Sequence, residues 1–460
     1  MVLRLGATLI SVMALSSPTL AETLPIRPAI QSDRWQEDWS ALANPALRTA
    51  PLDNLKYLPL TANPKDYLSF GANLRERYES NHAAQYGVEK GSGDNYLINR
   101  IEAHSDLHLG QWQGFLQLQQ QTAPGKKHKG GADINKLDVE QAFVALVQAA
   151  GAGTLKLRAG RQQFAFDLQR FVSVREGPNV RRSFDALWGD YETTSWRWIA
   201  YYSQPVTNKA AKRFDDSSNN SLQFYGLRVE RHVFGQNELS AYWSRYHNQH
   251  SQYLTVAGNE QRDVWDLRFA GKTARLTWDN EVMLQSGHVG NVRIRAWALG
   301  SRVSLLVSHN RWQPRLGMQL DAASGDKHPN DHRLGTFNPL FPNGSYLNLA
   351  GYSSYVNIIH IKPFVSTTLT PALSLLAAIA GQWRMTTADA IYTQPNNAIA
   401  NSAGRGQRWI GAYGQLRANW QVNRNLSSAL EIVHFDAAST VKALGGHNSN
   451  YLGLQLKFSW

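Results

Sequence analysis

The stretch Leu97-Ile98-Asn99-Arg100-Ile101-Glu102-Ala103-His104-Ser105-Asp106-Leu107-His108-Leu109 is followed at once by Gly110-Gln111-Trp112 and a further extended run. Side chains of a strand alternate between faces. Leu97, Ile101, Ala103, Leu107 and Leu109 therefore share one face, and Arg100, Glu102, His104, Asp106 and His108 share the other. The same division sets Phe70, Ala72 and Leu74 against Asn73, Arg75 and Arg77, and Leu155, Leu157 and Ala159 against Lys156 and Arg158. It recurs in Trp265, Leu267 and Phe269 against Asp266 and Arg268. A soluble sandwich and a membrane barrel both produce such alternation, so the connections between segments decide.

Roughly eighteen such segments of about 8–16 residues run from residue 68 to the last residue, the scatter expected of tilted membrane-crossing strands. Short connections such as Gly110-Gln111-Trp112, Gly235-Gln236-Asn237, Gly271-Lys272, Thr370-Pro371-Ala372 and Val422-Asn423-Arg424-Asn425 alternate with long ones at 124–135, 164–183, 204–221, 324–353 and 386–406. An up-and-down barrel with short periplasmic turns, long outer loops and both termini on the periplasmic side has this rhythm. The expected fold is all-β: a transmembrane antiparallel up-and-down β-barrel of about 18 strands, occupying residues 66–460. The final Leu452, Leu454, Leu456, Phe458 and Trp460 place an apolar residue at every second position. This resembles the terminal signal of outer-membrane barrels, although a plain sheet strand has the same pattern. Trp112, Trp196, Trp198, Trp243, Trp265, Trp278, Trp383 and Trp420 are candidates for the interfacial aromatic girdle.

Composition agrees. The 460 residues carry 47 Lys and Arg against 35 Asp and Glu, with no cysteine and only 18% charged residues. Past the N-terminus no apolar run is long enough for a membrane helix, and without thiols there is neither a disulfide scaffold nor a thiolate metal site. Residues 1–21 place Arg4 before an apolar core and end in Ser16-Ser17-Pro18-Thr19-Leu20-Ala21. They read as a secretory signal peptide, with a buried helix as the alternative. The leader holds one of the net +12 charges, so the exported chain remains basic. Residues 22–65 lack periodicity and are too few to enclose a core. They read as an ordered N-terminal periplasmic segment, a place where an export partner would dock.

No catalytic motif is present: there is no nucleophile elbow, zinc-protease helix, phosphate loop or EF-hand. No catalytic residue, metal or cofactor is therefore assigned. His104 and His108 share a face but stand about 13 Å apart in a strand, too far to ligate one metal, and read as solvated lumen residues. Asp326, Asp331 and His332 offer hard-cation ligands, or simply a polar loop. By strand parity Arg75, Arg77, Arg100, Lys156, Arg158, Arg197, Arg228, Arg268, Arg315 and Arg417 point inward. On the lipid face each would cost about 2–4 kcal/mol at the midplane. A confined ring of guanidiniums concentrates anions and grips carboxylates in bidentate fashion. Alternatively, these arginines neutralise inward acids such as Glu102, Asp106, Glu140, Glu230, Asp266 and Glu281. The loop 164–183, with Arg170, Arg175, Arg181 and Arg182, either folds inward as a constriction or stands at the cell surface.

The chain resembles the alginate export family of outer-membrane proteins. The resemblance runs through Glu37-Asp38-Trp39-Ser40, Leu55-Lys56-Tyr57-Leu58-Pro59-Leu60 and Leu74-Arg75-Glu76-Arg77-Tyr78-Glu79. It continues in Leu157-Arg158-Ala159-Gly160-Arg161-Gln162, Gln169-Arg170 and Asn179-Val180-Arg181-Arg182-Ser183-Phe184-Asp185. Later pieces are Arg315-Leu316-Gly317, Ala323-Ser324-Gly325-Asp326 and Thr336-Phe337-Asn338-Pro339-Leu340-Phe341-Pro342. Ala186-Leu187 departs from the pattern, where a glycine is common. The resemblance implies a monomeric 18-stranded barrel whose Arg-rich lumen passes an anionic polyuronate outward by diffusion, with loops and a periplasmic turn able to plug it. It implies pore-lining roles for Arg75, Arg77, Arg158, Arg161, Arg170, Arg181, Arg182 and Asp185.

The expected protein is thus an outer-membrane channel, embedded in outer-membrane lipid, for an anionic alginate-like polysaccharide. A porin for uptake of small anions such as organic or sugar acids is the alternative, and a barrel-supported hydrolase is a third class for which no Ser/His/Asp set can be placed. An exported chain does not meet cytoplasmic nucleic acid.

Overall fold

The structure, a computed structural model, describes residues 27–88, 93–233 and 237–460. The leader read at 1–21 lies outside them. Eighteen strands carry the fold: β1 Tyr67–Asn81, β2 Asp94–Leu109, β3 Trp112–Thr122, β4 Asn135–Ala150, β5 Gly153–Gln162 and β6 Phe184–Glu192. β7 Trp196–Thr207, β8 Leu222–Val233, β9 Asn237–Gln252, β10 Ala257–Lys272, β11 Leu276–Val289 and β12 Val292–Leu306 follow. The last six are β13 Arg315–Ala323, β14 Ile358–Thr370, β15 Leu373–Arg384, β16 Trp409–Gln421, β17 Leu426–Ala437 and β18 Ser449–Ser459. Each pairs antiparallel with its successor. β18 returns to β1 through pairs such as Leu74↔Phe458 and Tyr78↔Leu454. Among the described residues, closure leaves no edge of the barrel sheet unpaired, which is the condition for a sheet to cross a membrane.

Burial is inverted relative to a soluble protein. In β2, Leu97 and Ile101 are 43% and 46% exposed, while Arg100 and Glu102 are 2% and 1% exposed. Apolar side chains outside and charged ones inside are what lipid on one side and a polar lumen on the other require. Trp112, Trp198, Trp278 and Trp420 lie within three residues of the turns at the end that carries the termini, the periplasmic end of an outer-membrane barrel.

The long–short rhythm is broken twice at the outer end and once at the inner. β9 and β10 are 16 residues each and leave only residues 253–256 between them. This hairpin is held on the inside by Ser251 and Tyr253, which donate to Glu260, and by Arg262 ion-paired with Glu260. β11 and β12 are joined by Gly290 and Asn291 alone. Gly290 has φ +53, a left-handed conformation that two-residue hairpins demand and glycine supplies without strain. At the inner end the connection 307–314 is eight residues long.

Candidate functional site

Three chain segments of the lumen bear on its arginines, beside the outer connections that pack Tyr86, Ile391 and Val441 on inward-facing Tyr413, Phe435 and Tyr451. The first is the connection 163–183 between β5 and β6, which folds inward. Phe164, Phe166, Phe171 and Val172 from it pack on inward-facing Phe184, Tyr201, Phe224, Tyr242, Val264 and Met283. The second is the connection 324–357, which adds Phe337, Leu340, Phe341, Leu347 and Tyr355 to the same cluster. The two are stitched by backbone bonds, Ser173 N to Phe341 O at 2.9 Å and Phe341 N to Phe171 O at 2.8 Å. Part of the barrel wall is therefore apolar on its inner face and buries aromatic loop residues instead of facing water.

The third segment is the N-terminal stretch 27–66, with 3₁₀ turns at Arg34–Gln36, Ser40–Ala43 and Pro45–Leu47 and one α-turn at Asp53–Lys56. The structure places it within the periplasmic mouth. Arg34 donates to Asn73 Oδ1 at 2.7 Å and to the backbone oxygen of Trp460 at 2.8 Å. Trp35 reaches the Phe143 ring edge-on at 5.9 Å. Trp39, Leu42 and Tyr57 pack with Tyr67 of β1.

Lys56 makes this segment pH-sensitive. Its ammonium lies 5.1 Å from the Trp39 ring and 4.6 Å from the Trp460 ring, with no hydrogen-bond partner among the described residues. Burial, reinforced by repulsion from Arg34, lowers its pKa from 10.5 to about 7. An undocked segment binds that proton up to pH 10.5 and a docked one only to about 7. Docking therefore strengthens as pH rises between these values, by up to about tenfold per unit, and is insensitive to Lys56 below them. The closed fraction of single channels is expected to rise between about pH 7 and pH 9, and Lys56→Met to abolish the dependence.

The arginines fall into two groups. Most meet carboxylates. Arg181 contacts Glu102 at 2.5 Å, Glu140 at 3.1 Å and Glu176 at 3.6 Å. Arg100 meets Glu176 at 3.0 Å and donates to the carbonyls of Pro178 and Asn179, so the tip of the inward loop is strapped to the wall. Arg170 meets Asp279 at 2.6 Å and Glu281 at 2.5 Å and donates to Tyr346. Arg228 pairs with Asp167 and Glu230, and Arg268 with Asp167, Asp279 and Glu238. Arg77 pairs with Glu79 and Glu431, Arg417 with Glu431, and Arg197 with Asp190.

Among the described residues, Arg75, Arg158, Arg182 and Arg315 have no carboxylate within ion-pair distance. Arg75 donates to Gln455 and to the carbonyls of Gly177 and Pro178. Arg158 stacks on Trp35 at 4.3 Å, Phe143 and Trp188. Arg182 lies 5.1 Å from the Phe341 ring, and Arg315 meets only Ser304, Thr277 and a carbonyl of Arg275 at the inner rim. Within the inward loop, burial lowers the Arg182 guanidinium to about 9, with Arg175 adding to the effect, and lowers Arg175 to about 10. Glu176 is held below its ordinary range because Arg100 and Arg181 outweigh its burial. Guanidiniums stay protonated at neutral pH, so a depressed value marks a charge short of counter-charge.

Arg161 and Asp185 stand apart. They are opposite each other in the β5–β6 register, paired at 2.9 Å, on the side of the sheet that carries exposed Leu157 and Leu187. The pair is turned away from the row containing Arg158 and holds the outer loop through Ser218. His104 is buried against Phe115 rather than solvated, while His108 stacks on Tyr67 and bonds Asp106. Asp326 lies buried beside Asp389, whereas Asp331 is exposed and caps Arg333, so these two and His332 form no common ligand set.

A family model described as alginate export matches residues 66–455. Among solved structures the chain is similar to OccD3 (OpdP) of Pseudomonas aeruginosa, at 13% identity over 88% of this chain and 93% of that one, TM-score 0.56. It is similar to OccAB1 of Acinetobacter baumannii at 10% identity over 89% and 99%, TM-score 0.56. It is also similar to OccK2 (OpdF) of Pseudomonas aeruginosa, solved in complex with glucuronate, at 10% identity over 85% and 96%, TM-score 0.54. No curated protein matches the sequence. A closed eighteen-stranded barrel with a charged lumen and a family match along nearly its whole length leave one assignment: the chain belongs to the alginate export family of outer-membrane β-barrel proteins.

Proposed function

We propose that the protein is an anion-selective outer-membrane channel for passive export of an anionic polysaccharide, an alginate-like polyuronate, working as a single barrel. The observation that carries this reading is the set of inward guanidiniums without carboxylate partners: Arg75, which donates to Gln455 and loop carbonyls, and Arg158 and Arg182, which lie beside aromatic rings. Guanidiniums without a counter-charge suit bidentate hydrogen bonding to uronate carboxylates, and ring faces suit the apolar faces of sugars. A second reading, uptake of small anionic solutes such as sugar acids, is favoured by the crowding of the lumen by 163–183 and 324–357. It is favoured too by the glucuronate complex of OccK2.

The test is single-channel recording in a planar bilayer. Anion preference with block by polymannuronate supports the export channel, block by glucuronate without block by polymer supports the small-solute porin, and cation preference overturns both. Replacing Arg75, Arg158 and Arg182 singly by glutamine is expected to weaken anion preference. Each charge contributes about 1 kcal/mol at an intermediate dielectric, or roughly fivefold in anion occupancy.

A further inference from the structure

The lipid-facing side of β9–β12 changes character in ordered rows toward its outer end. Trp243, Trp265, Leu284 and Trp297 stand opposite one another across the four strands. They face away from the lumen, with Trp265 and Leu284 each 55% exposed. The next outward-facing row reads Arg245, Asp263, Ser286 and Arg295, and the row beyond it ends in His288 and Arg293. Residues two apart in a strand share a face, so these side chains continue the surface of the tryptophans. An apolar band thus gives way to a basic edge at the height of the outer leaflet's headgroups.

A third guanidinium joins that edge from the connection 324–357. Its residues Arg333 and Leu334 add to β12 as a short parallel pair, with Arg293 opposite Arg333 and Ile294 opposite Leu334. Ile294 and Leu334 are buried together with Val289, which turns Arg293 and Arg333 to the outside, side by side. Both are exposed, as is Arg295. Among the described residues none of the three has a carboxylate within ion-pair distance. Of the acids on this surface, Asp263 is engaged by Arg245 at 2.9 Å, and Asp331 accepts from the backbone amide of Arg333 at 2.8 Å. Like charges held opposite each other in a ladder repel, so the corner is short of an anion.

We propose that Arg293, Arg295 and Arg333 bind the phosphate of an outer-leaflet lipid whose acyl chains lie along Trp265, Leu284 and Trp297. Three features select a lipid over other anions. The guanidiniums stand on the outside of the barrel, so a solute in the lumen does not meet them. The indole rings beneath them anchor at a membrane interface and continue into the apolar surface that acyl chains cover. The forked donors of arginine match phosphate oxygens in bidentate fashion, and basic residues at headgroup height attract anionic lipid over a short range. The site is independent of which solute the lumen passes.

The test titrates the refolded full-length barrel, in a neutral detergent, with bisphosphorylated lipid A and reads the bound fraction by native mass spectrometry. Lipid A stripped of its phosphates is expected to bind at least about tenfold more weakly. Arg293→Gln and Arg295→Gln are each expected to weaken binding of the phosphorylated lipid about fivefold. Arg424→Gln, in the turn at the opposite end, leaves it unchanged. Heat-modifiable migration confirms folded barrels, and Arg333→Gln, outside the eighteen ladders, tests the same corner without touching a barrel strand. Equal binding of the two lipids overturns the site, as does binding that survives in all three corner variants. Displacement of lipid A by inorganic phosphate at equal concentration overturns the lipid in favour of a free-phosphate site. Displacement by polymannuronate at equal carboxylate concentration overturns it in favour of a polymer-binding rim.

Discussion

Arg34→Ala is expected to raise the time-averaged conductance of the reconstituted channel by opening the periplasmic mouth. Arg34 is 2% exposed and lies 2.7 Å from Glu37, itself buried. It also anchors the segment to Asn73 and to the backbone of Trp460, joining the N-terminal stretch to the seam where the barrel closes. Removing one member of a buried ion pair leaves the other uncompensated, at a cost of about 3–5 kcal/mol. That shifts the balance between docked and undocked segment by roughly two to three and a half powers of ten. The barrel is not threatened, because its eighteen ladders are made without Arg34. Single-channel recordings check the expectation, with deletion of residues 27–62 as a second variant. If both variants conduct as the full chain does, the N-terminal segment is not what restricts the mouth.

The strands were legible because lipid imposes a strict code. All eighteen strands are legible in the sequence, since every second residue must be apolar where it meets hydrocarbon and a charge there is costly. The code lapses where β9 and β10 rise above the membrane, so Glu260 and Arg262 hid a continued hairpin behind polar composition. Inward direction followed from the same parity for Arg75, Arg77, Arg100, Arg158, Arg197, Arg228, Arg268, Arg315 and Arg417. Their partners did not follow, because pairing depends on where loops land. Asp167 and Glu176 arrive from 163–183 and are distant in sequence from the arginines they meet. Arg161 and Asp185 carry family-like motifs, yet parity counted from Arg158 and Leu187 already sets them on the other side of the sheet. The aromatic filling does not follow from strand alternation, although Phe184, Tyr201, Phe224 and Tyr242 occupy inward positions. Apolar residues on the inner face were a signal that loops, not water, would cover them.

Arg170→Ala is expected to do what no substitution among the unpaired arginines does: loosen the constriction and shift selectivity toward cations together. The Arg170 side chain is fully buried and bridges Asp279 and Glu281 of β11, with Tyr346 of 324–357 as third partner. It passes through a gap left by Gly300 on β12, where a Cβ would stand 2.5 Å from Nε. Alanine removes the strap between loop and wall and leaves buried Glu281 without its cation, while Asp279 keeps Arg268, at about 3–5 kcal/mol against the docked loop. A loosened loop widens the passage, so conductance rises, and the stranded acid makes that part of the lumen negative, so anion preference falls. Arg182→Gln removes a charge that holds no acid, so it lowers anion preference while conductance stays near that of the unmodified channel. Gly300→Ala separates geometry from charge, because it crowds the guanidinium without deleting it. Conductance is then expected to rise while the charge balance, and hence selectivity, changes less than in Arg170→Ala. If Arg170→Ala and Arg182→Gln behave alike, the division between strapping and free arginines is wrong, and the lumen charge acts as an undivided whole.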